Sequence, residues 1–129
     1  MKLSDFNLSA KAENGFTFNL LHPVDKSELD ASVTVRGSDS ATYRNAFAAI
    51  FKGLSKDSSD AEMLKAGAQL LAAATVGWSN ITDEKGNEIK FSMEKAVEIY
   101  SDIGFDWIVN QVKEAVEKRN NFFLMPAKV

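Results

Sequence analysis

Apolar side chains recur along this chain at two spacings, and the spacing predicts where strands give way to helices. Residues 16–22 and 31–37 are short and rich in Phe, Val and Thr, as strands are. In the second segment Val33 and Val35 alternate with polar residues, which is typical of a strand with one buried face. The segment between them is polar and opens with Pro23, so the sequence predicts two strands joined by a broad loop.

After residue 37 the apolar residues fall at helical spacing, and four helices are predicted. The predicted helices span residues 40–54, 60–76, 93–103 and 105–120. In the first helix the apolar stripe is formed by Tyr43, Phe47, Ile50, Phe51 and Leu54. The second begins with a capping-box pattern, Ser59 followed by Glu62, and continues through a run of small residues that lets neighbouring helices approach closely.

Residues 78–91 lie between the second and third predicted helices. Their central sequence, Asp-Glu-Lys-Gly, has the composition of a turn, and the flanking apolar residues predict a small hairpin that packs on the helices. We expect Trp78 and Trp107 to lie in the core. The sequence therefore predicts an α+β fold, mostly helical, in a single domain covering residues 1–129.

Composition and charge exclude several classes of function. The 129 residues carry a net charge of −3, and because the charges are spread along the chain there is no basic patch for nucleic acid or an anionic membrane. The absence of cysteine and the presence of a single histidine, His22, exclude disulfide scaffolds, thiolate nucleophiles and Cys/His zinc sites. No apolar run predicts a signal peptide or a membrane span, and no glycine-rich phosphate-binding motif occurs.

Two local patterns could carry chemistry, and each also has a structural interpretation. The acidic residues Asp83, Glu84 and Glu88 could be ligands of calcium, but Lys85 stands where an EF-hand-type loop needs a ligand, which favours a solvated turn. His22 could be a general base, since histidine titrates near neutral pH. No nucleophile lies at a recognisable spacing from it, so the sequence favours a surface histidine. We expect no catalytic residue, no cofactor and no metal.

Two further patterns concern binding. Arg36 and Arg44 flank a predicted helix start and could hold a phosphate there, but the sequence favours a structural interpretation in which Ser38–Ser40 cap the helix and Arg44 lies on its exposed face. The chain ends with an apolar cluster, where most chains carry polar residues. This cluster either folds back onto the core or forms an exposed patch for a partner. The candidate partner-binding residues are Phe122, Phe123, Leu124 and Met125.

Residues 20–123 resemble the small tail assembly chaperones of long-tailed bacteriophages. The similarity rests on the order of elements and on three local features: a Gly-Trp step at residues 77–78, a D-x-x-G turn at 83–86, and a Phe-Ser helix start at 91–92. The last helix also ends near an Asn-Phe pair, as in that family. These are structural features, and they identify a fold family better than an activity.

The resemblance implies a non-enzymatic protein that binds the tape measure protein and keeps it soluble until the tail tube assembles around it. Proteins of this family act in the host cytoplasm and are absent from the finished virion. The resemblance also implies a homo-oligomer, or several copies on one partner, and makes the tail tube protein a second candidate partner.

Two alternatives remain open from the sequence. The first is another structural component of a phage tail, such as a neck or tube-terminating protein, which would be retained in the virion. The second is a small enzyme with a composite site formed by His22 and the region of Asp39 and Arg44. A deep polar pocket joining these three residues would favour the enzyme.

Overall fold

The computed structural model describes residues 1–123 and shows an α+β fold that is mostly helical, which confirms the predicted fold class. The helices are α1 (Leu8–Glu13), α2 (Ala41–Phe51), α3 (Asp60–Ala74), α4 (Met93–Tyr100) and α5 (Asp106–Glu117). The strands are β1 (Phe16–Leu21), β2 (Glu28–Val35) and β3 (Thr75–Ser79). Short 3-10 turns occur at Leu3–Phe6, Ile103–Phe105 and Arg119–Asn121. Within the described residues, no helix is long and apolar enough to cross a membrane.

All four predicted helices form, and each is somewhat shorter than predicted. Helices α2, α3 and α4 begin where a serine hydroxyl accepts a hydrogen bond from a backbone N–H of the first turn; these caps are Ser40, Ser59 and Ser92. In α3 the capping box is complete, because the Glu62 carboxylate also accepts from the Ser59 backbone N–H at 3.2 Å. Helix α1 was not predicted, because an apolar period does not show in six residues.

The sheet is antiparallel with strand order β1-β2-β3. The two predicted strands form and pair as expected, with Phe16 opposite Val35 at one end and Leu21 opposite Glu28 at the other. An irregularity between Asn19 and Leu21 shifts the register within this pair. Strand β2 begins and ends earlier than the predicted segment 31–37.

The third strand was not predicted from the sequence. The sequence predicts residues 75 and 76 at the end of a helix, but the helix ends at Ala74, and β3 pairs with β2. The β-branched side chains of Thr75 and Val76 fit a strand better than a helix end. The Thr75 hydroxyl lies at this junction of helix and strand. It donates a hydrogen bond to the Leu71 carbonyl at 2.8 Å and lies 2.9 Å from the Tyr100 hydroxyl.

The predicted hairpin between the central helices is a tight turn with one bridge, between Thr82 and Glu88. Trp78, expected to hold this hairpin on the helices, lies in β3 instead. Its indole Nε1–H donates to the Ile89 carbonyl at 2.7 Å, and Phe91 contacts its ring edge-on at 5.0 Å between centroids. The tryptophan therefore joins the turn to the sheet.

The core lies between the sheet and helices α3, α4 and α5. Its largest fully buried apolar side chains are Leu20, Val33, Val35, Val112 and Val116. Trp78 and Trp107 were both expected in this core, but they are only partly buried and pack at its margin. A tryptophan at the margin keeps its indole N–H within reach of a hydrogen-bond acceptor.

The end of the described chain folds back onto the core, one of the two arrangements left open by the sequence. Phe122 is 9% exposed and meets the Phe16 ring edge-on, with 6.1 Å between centroids. Gly37 makes room for it, since a Cβ at that position would come within 2.9 Å of the Phe122 ring. Phe123 is half-buried beside Phe6, with 5.7 Å between ring centroids.

Candidate protein-binding groove

The structure separates the three residues of the composite enzyme site considered from the sequence. His22 follows the last residue of β1, whereas Asp39 and Arg44 follow the end of β2, which pairs with the start of β1. Strand β1 is six residues long, so the two ends lie about 20 Å apart at 3.3 Å per residue. Four surface cavities of residues 1–123 are lined by none of the three. None of these four cavities joins the three residues.

His22 organises the loop that follows β1. Its Nδ1 accepts hydrogen bonds from the backbone N–H groups of Val24, at 3.1 Å, and Asp25, at 3.3 Å. A ring nitrogen that accepts carries no proton, so the neutral ring is protonated on Nε2. This local role fits the interpretation of His22 as a surface residue that shapes its loop.

Asp39 forms an ion pair with Arg119, which lies in the turn after α5. Only 8% of the residue is exposed, and its carboxylate accepts from Nε and Nη2 of Arg119 at 2.8 and 3.1 Å. Arg44 lies 3.6 Å from the same carboxylate. The hydrogen bonds from Arg119 lower the pKa of Asp39 below its usual value. This pair anchors the turn after α5 to the start of α2.

The N-terminus of α2, considered above as a phosphate site, already binds a carboxylate of the same chain. Glu13 accepts hydrogen bonds from the Thr42 backbone N–H at 2.7 Å and from the Thr42 hydroxyl at 3.0 Å. The backbone hydrogen bond is the main cause of a lowered pKa at Glu13. Arg36 lies 3.3 Å from this carboxylate, so Arg36 and Arg44 both face carboxylates of their own chain. The arrangement is structural.

The acidic turn considered for calcium uses its carboxylate to form the turn. Asp83 Oδ1 accepts from the backbone N–H groups of Lys85 and Asn87, each at 2.9 Å. Gly86 completes the turn with a φ of +82°, which favours glycine. In residues 1–123 no three His, Cys, Asp or Glu side chains converge on a point where a metal ion could bind. The turn interpretation therefore accounts for Asp83.

Three exposed apolar side chains lie on α2 and α3, two helices that pack on each other. Helix α2 buries no residue, although Arg44 is its only charged side chain. Phe47 is 49% exposed, and its ring stacks on that of Phe51 with 4.7 Å between centroids. On α3, Met63 is 46% and Leu64 59% exposed. We call the exposed residues Phe47, Met63 and Leu64 the α2–α3 surface; side chains this apolar are usually covered by another molecule when they occur together.

A groove opens beside this surface, between α3 and α5, and we call it the α3–α5 groove. It has a volume of about 310 Å³. Apolar and small residues form most of its lining: Tyr43, Met63, Leu64, Gly67, Ala68, Leu70, Leu71, Tyr100, Val109 and Val116. Gly67 leaves part of the groove empty, since a Cβ added there would meet no atom within 4 Å. The groove can therefore accept large apolar side chains from another helix.

Charged residues of α5 follow one wall of the groove. They are Asp106, Lys113 and Glu117. None of the three has an ion-pair partner within 4 Å in the part of the chain that the structure describes. Burial, and secondarily the charge of Glu117, raise the pKa of Tyr43 above its usual value. The groove is thus apolar at its centre and bears unpaired charges along one side.

The apolar region continues beyond the groove. A second cavity of about 210 Å³ shares Leu64, Tyr100 and Asp106 with it and adds the polar Ser101 and Asp102 and the apolar Ile103. Ile103 is 90% exposed, which is unusual for so large an apolar side chain. The exposed apolar residues therefore reach from α2 across α3 to the turn before α5.

The structure changes the set of candidate partner-binding residues. Phe122 is buried in the core and has almost no exposed face left for a partner. Phe123 is half-buried and remains a prediction, while Leu124 and Met125 lie outside the described residues. The α2–α3 surface was missed. A signal for it was present in the sequence, because residues 45–51 contain no charge.

Comparison of this chain with models of protein families, with curated proteins and with solved structures finds no match. We therefore infer the class of ligand from the shape, the lining and the charges of the groove. Those properties suit the helix of another protein better than a small polar substrate, because the lining offers few convergent polar groups.

Proposed function

We propose that this protein is a non-enzymatic tail assembly chaperone of a long-tailed bacteriophage. It binds the tape measure protein and keeps it soluble until the tail tube assembles around it. The observation that carries the proposal is the α2–α3 surface with its adjoining groove, an exposed apolar region beside an otherwise packed core. The resemblance of residues 20–123 to this family supplies the identity of the partner.

The physical task of such a chaperone matches this surface. A tape measure protein is long and helical, and before assembly it exposes apolar helix faces that would aggregate in water. A protein that covers those faces needs an accessible apolar surface of its own and several copies along the partner. Helices α2 and α3 supply such a surface without loss of the core, because the core is formed by other side chains.

The proposal places the protein in the host cytoplasm, acting before the virion is complete and absent from it afterwards. The tail tube protein is a second candidate partner, since it replaces the chaperone around the tape measure protein. A binding role is favoured over catalysis by the separation of His22 from Asp39 and Arg44, and by the use of Asp39 and Glu13 in structural ion pairs.

Co-expression with the tape measure protein encoded in the same genome tests the proposal. The long protein should be soluble only in the presence of this chain, and size-exclusion chromatography with light scattering should show a complex with several copies of the chain. A folded chain that elutes separately from the tape measure protein contradicts the proposal.

Mass spectrometry of finished virions separates the chaperone from the structural alternative. A chaperone should be absent from purified particles, whereas a neck or tube-terminating component should be present in stoichiometric amounts. The detection of this chain in particles at the level of a structural protein would favour the alternative.

A further inference from the structure

We propose that the free edge of β1 is a second binding site, at which an extended segment of another protein adds to the sheet as an antiparallel strand. The segment carries apolar side chains at alternate positions and lays them in a groove between β1 and α5, formed mainly by Phe16, Phe18, Gln111 and Ala115. We call it the β1–α5 groove. It shares no lining residue with the α3–α5 groove, so the proposal stands or falls independently of the tape measure protein.

The backbone groups of Thr17 and Asn19 point out of the sheet at this edge. The Arg36 N–H donates to the last residue of α3, on the β3 side, at 2.7 Å, so the backbone groups of Val35 point the other way, toward β1. Val35 lies opposite Phe16, which directs the Phe16 groups toward β2. Because this direction alternates along a strand, the N–H and C=O groups of Thr17 and Asn19 face away from β2. Both residues are exposed, and within residues 1–123 their outward groups have no hydrogen-bond partner.

The next residue of this edge, Leu21, already binds an amide group. Its backbone N–H donates to Oε1 of Gln111 at 2.8 Å, and its carbonyl accepts from Nε2 of Gln111 at 3.0 Å. A carboxamide offers the same donor and acceptor as a peptide group. Leu21 therefore makes both of the hydrogen bonds that a paired residue of an added antiparallel strand would supply. The structure thus shows, one step along the strand, the kind of group that the edge at Thr17 and Asn19 can bind.

Strand β1 also lacks the features that usually keep a strand edge from pairing. Such edges commonly carry lysine, proline or a bulge, but residues 16–21 contain no charged residue and no proline. The irregularity in the pairing with β2 lies between Asn19 and Leu21. It leaves the strand regular from Phe16 to Asn19, which is the part that an added strand would use.

The β1–α5 groove gives an added strand an apolar surface to pack on. It has a volume of about 230 Å³, compared with roughly 150 Å³ for an apolar cavity that binds one benzene ring, so it has room for one large apolar side chain. The rings of Phe16 and Phe18 line it, with 6.3 Å between centroids, beside Ala115 of α5. Side chains directly opposite each other on paired strands lie on one face. A partner residue opposite Phe18 therefore points into the groove, and its neighbours opposite Thr17 and Asn19 point to the solvent face.

The charges of the groove favour an uncharged segment. Glu114 and Lys118 both line it, and in the described chain neither has an ion-pair partner within 4 Å. They lie one helical turn apart with opposite sign, so their fields largely cancel. Asn121, which also lines the groove, already donates to the Ala115 carbonyl at 3.1 Å. Recognition therefore rests on backbone hydrogen bonds and apolar contact, which a helix cannot supply because its backbone groups are bonded internally.

A synthetic peptide tests the proposal on the purified chain. The probe is Thr-Val-Thr-Leu-Thr-Val-Thr, labelled with fluorescein and amidated, and its binding is measured by fluorescence anisotropy. With its leucine opposite Phe18, antiparallel pairing directs the N–H groups of its two central threonines toward Thr17 and Asn19. N-methylation of these two threonines should weaken binding at least about tenfold. N-methylation of the two valines removes donors that face away from β1, and should change the dissociation constant less than about threefold.

Variants of the chain provide a matched pair. Asn19→Pro removes one outward N–H, and proline fits this position because the N–H does not pair with β2; we expect the probe to bind at least about tenfold more weakly. Asn19→Ala keeps the N–H and should bind the probe like the wild type. Leu64→Asp, on the α2–α3 surface, should also bind it like the wild type. Circular dichroism should show that every variant keeps the helical signal.

Amide hydrogen exchange gives a measurement that needs no variant. In the free chain the amides of Thr17 and Asn19 should exchange faster than those of Phe16 and Phe18, which bond to β2. Saturation with the probe should slow exchange at Thr17 and Asn19 at least about tenfold and leave Phe16 and Phe18 unchanged.

Several results would overturn the proposal. They are a wild-type chain that does not bind the probe, equal binding of the two N-methylated probes, a folded Asn19→Pro that binds like the wild type, and unchanged exchange at Thr17 and Asn19. Weaker binding of the valine-methylated probe alone would overturn the antiparallel arrangement. A chain truncated after Phe123 that binds the probe about tenfold more tightly would assign the edge to residues 124–129, and a wild-type dimer that the probe dissociates would assign it to a second copy. Either result would overturn the assignment to another protein.

Discussion

Helices α5 and α2 are nearly equal in length, twelve and eleven residues, and they have opposite relations to the core. Helix α5 carries several charged residues and still buries four side chains, whereas α2 carries one charge and buries none. The difference shows that the arrangement of apolar residues decides burial, and their number does not. A helix that is apolar on most sides and yet lies outside the core is available to another molecule.

The largest difference in stability should be between a leucine substitution in the core and one at an exposed position of α3. Leu20 is 2% exposed in the core, whereas Leu64 is 59% exposed on α3. We expect Leu20→Ala to lower the free energy of unfolding by about 2–5 kcal/mol, since it leaves a cavity. Leu64→Ala should cost less than about 1 kcal/mol. Urea unfolding of both variants measures the two values, and equal losses would contradict the distinction between core and surface.

Loss of the ion pair that joins the start of α2 to the turn after α5 should have the next-largest effect on the free energy of unfolding. Asp39→Asn should lower the free energy of unfolding by about 1–2 kcal/mol at neutral pH, because Arg119 loses its charged acceptor but remains largely exposed. The pKa of Asp39 is lowered in the folded state from an ordinary value of 3.8. Its stabilising contribution is therefore complete above that value and is lost as the pH falls through the lower folded-state pKa.

Unfolding of the wild type and Asp39→Asn over a range of acidic pH checks this sign. The stability difference between the two proteins should be constant near neutrality and should narrow once the pH falls below 3.8. A difference that stays constant through the acidic range, or grows, would show that the carboxylate is not held by Arg119.

Two glycines should respond to the same substitution with opposite signs. A Cβ on Gly37 would lie 2.9 Å from the Phe122 ring, whereas a Cβ on Gly67 would meet nothing within 4 Å. Gly37→Ala should destabilise by about 1–3 kcal/mol through overpacking. Gly67→Ala should stabilise by about 0.5–1 kcal/mol, since alanine favours a helix. Thermal unfolding of both variants measures the two changes in stability. A stabilising Gly37→Ala would mean that Phe122 does not pack against Gly37.

The smallest effect concerns the tyrosine at the groove. The pKa of Tyr43 is raised by burial and by Glu117, so Glu117→Gln should lower it part of the way toward its ordinary value of 10.0. Ultraviolet titration of phenolate should be done in a Tyr100→Phe background, because burial also raises the pKa of Tyr100 to about 12. An unchanged titration of Tyr43 would place Glu117 too far from it to form one edge of the groove.

The parts of the fold that the sequence predicted are those with a clear period or cap. Ser59 and Glu62 located the start of α3, and the alternation around Val33 and Val35 identified β2. Strand β3 was missed because it follows α3 without a break, and a local pattern does not contain the pairing with β2 that holds it. That pairing is a contact between residues distant in sequence.

The candidate site was harder to predict for a related reason. The sequence predicts an apolar stripe on the first helix, and in the structure Phe47 of this stripe is exposed and Tyr43 is only half-buried beside the groove. An apolar period shows which residues share a face, but it does not show whether that face meets the chain's own core or another molecule. Phe122 shows the reverse case, an apolar residue near the end of the chain that turns out to be buried.

The most direct test of the central claim, that the α2–α3 surface binds the partner, compares two exposed leucines during co-expression with the tape measure protein. Leu64→Asp places a charge on this surface, and Leu3→Asp makes the same change at a residue that is 76% exposed elsewhere. The account predicts that the tape measure protein stays soluble with Leu3→Asp and precipitates with Leu64→Asp, although both variants are folded. Equal solubility of the tape measure protein with the two variants would contradict it.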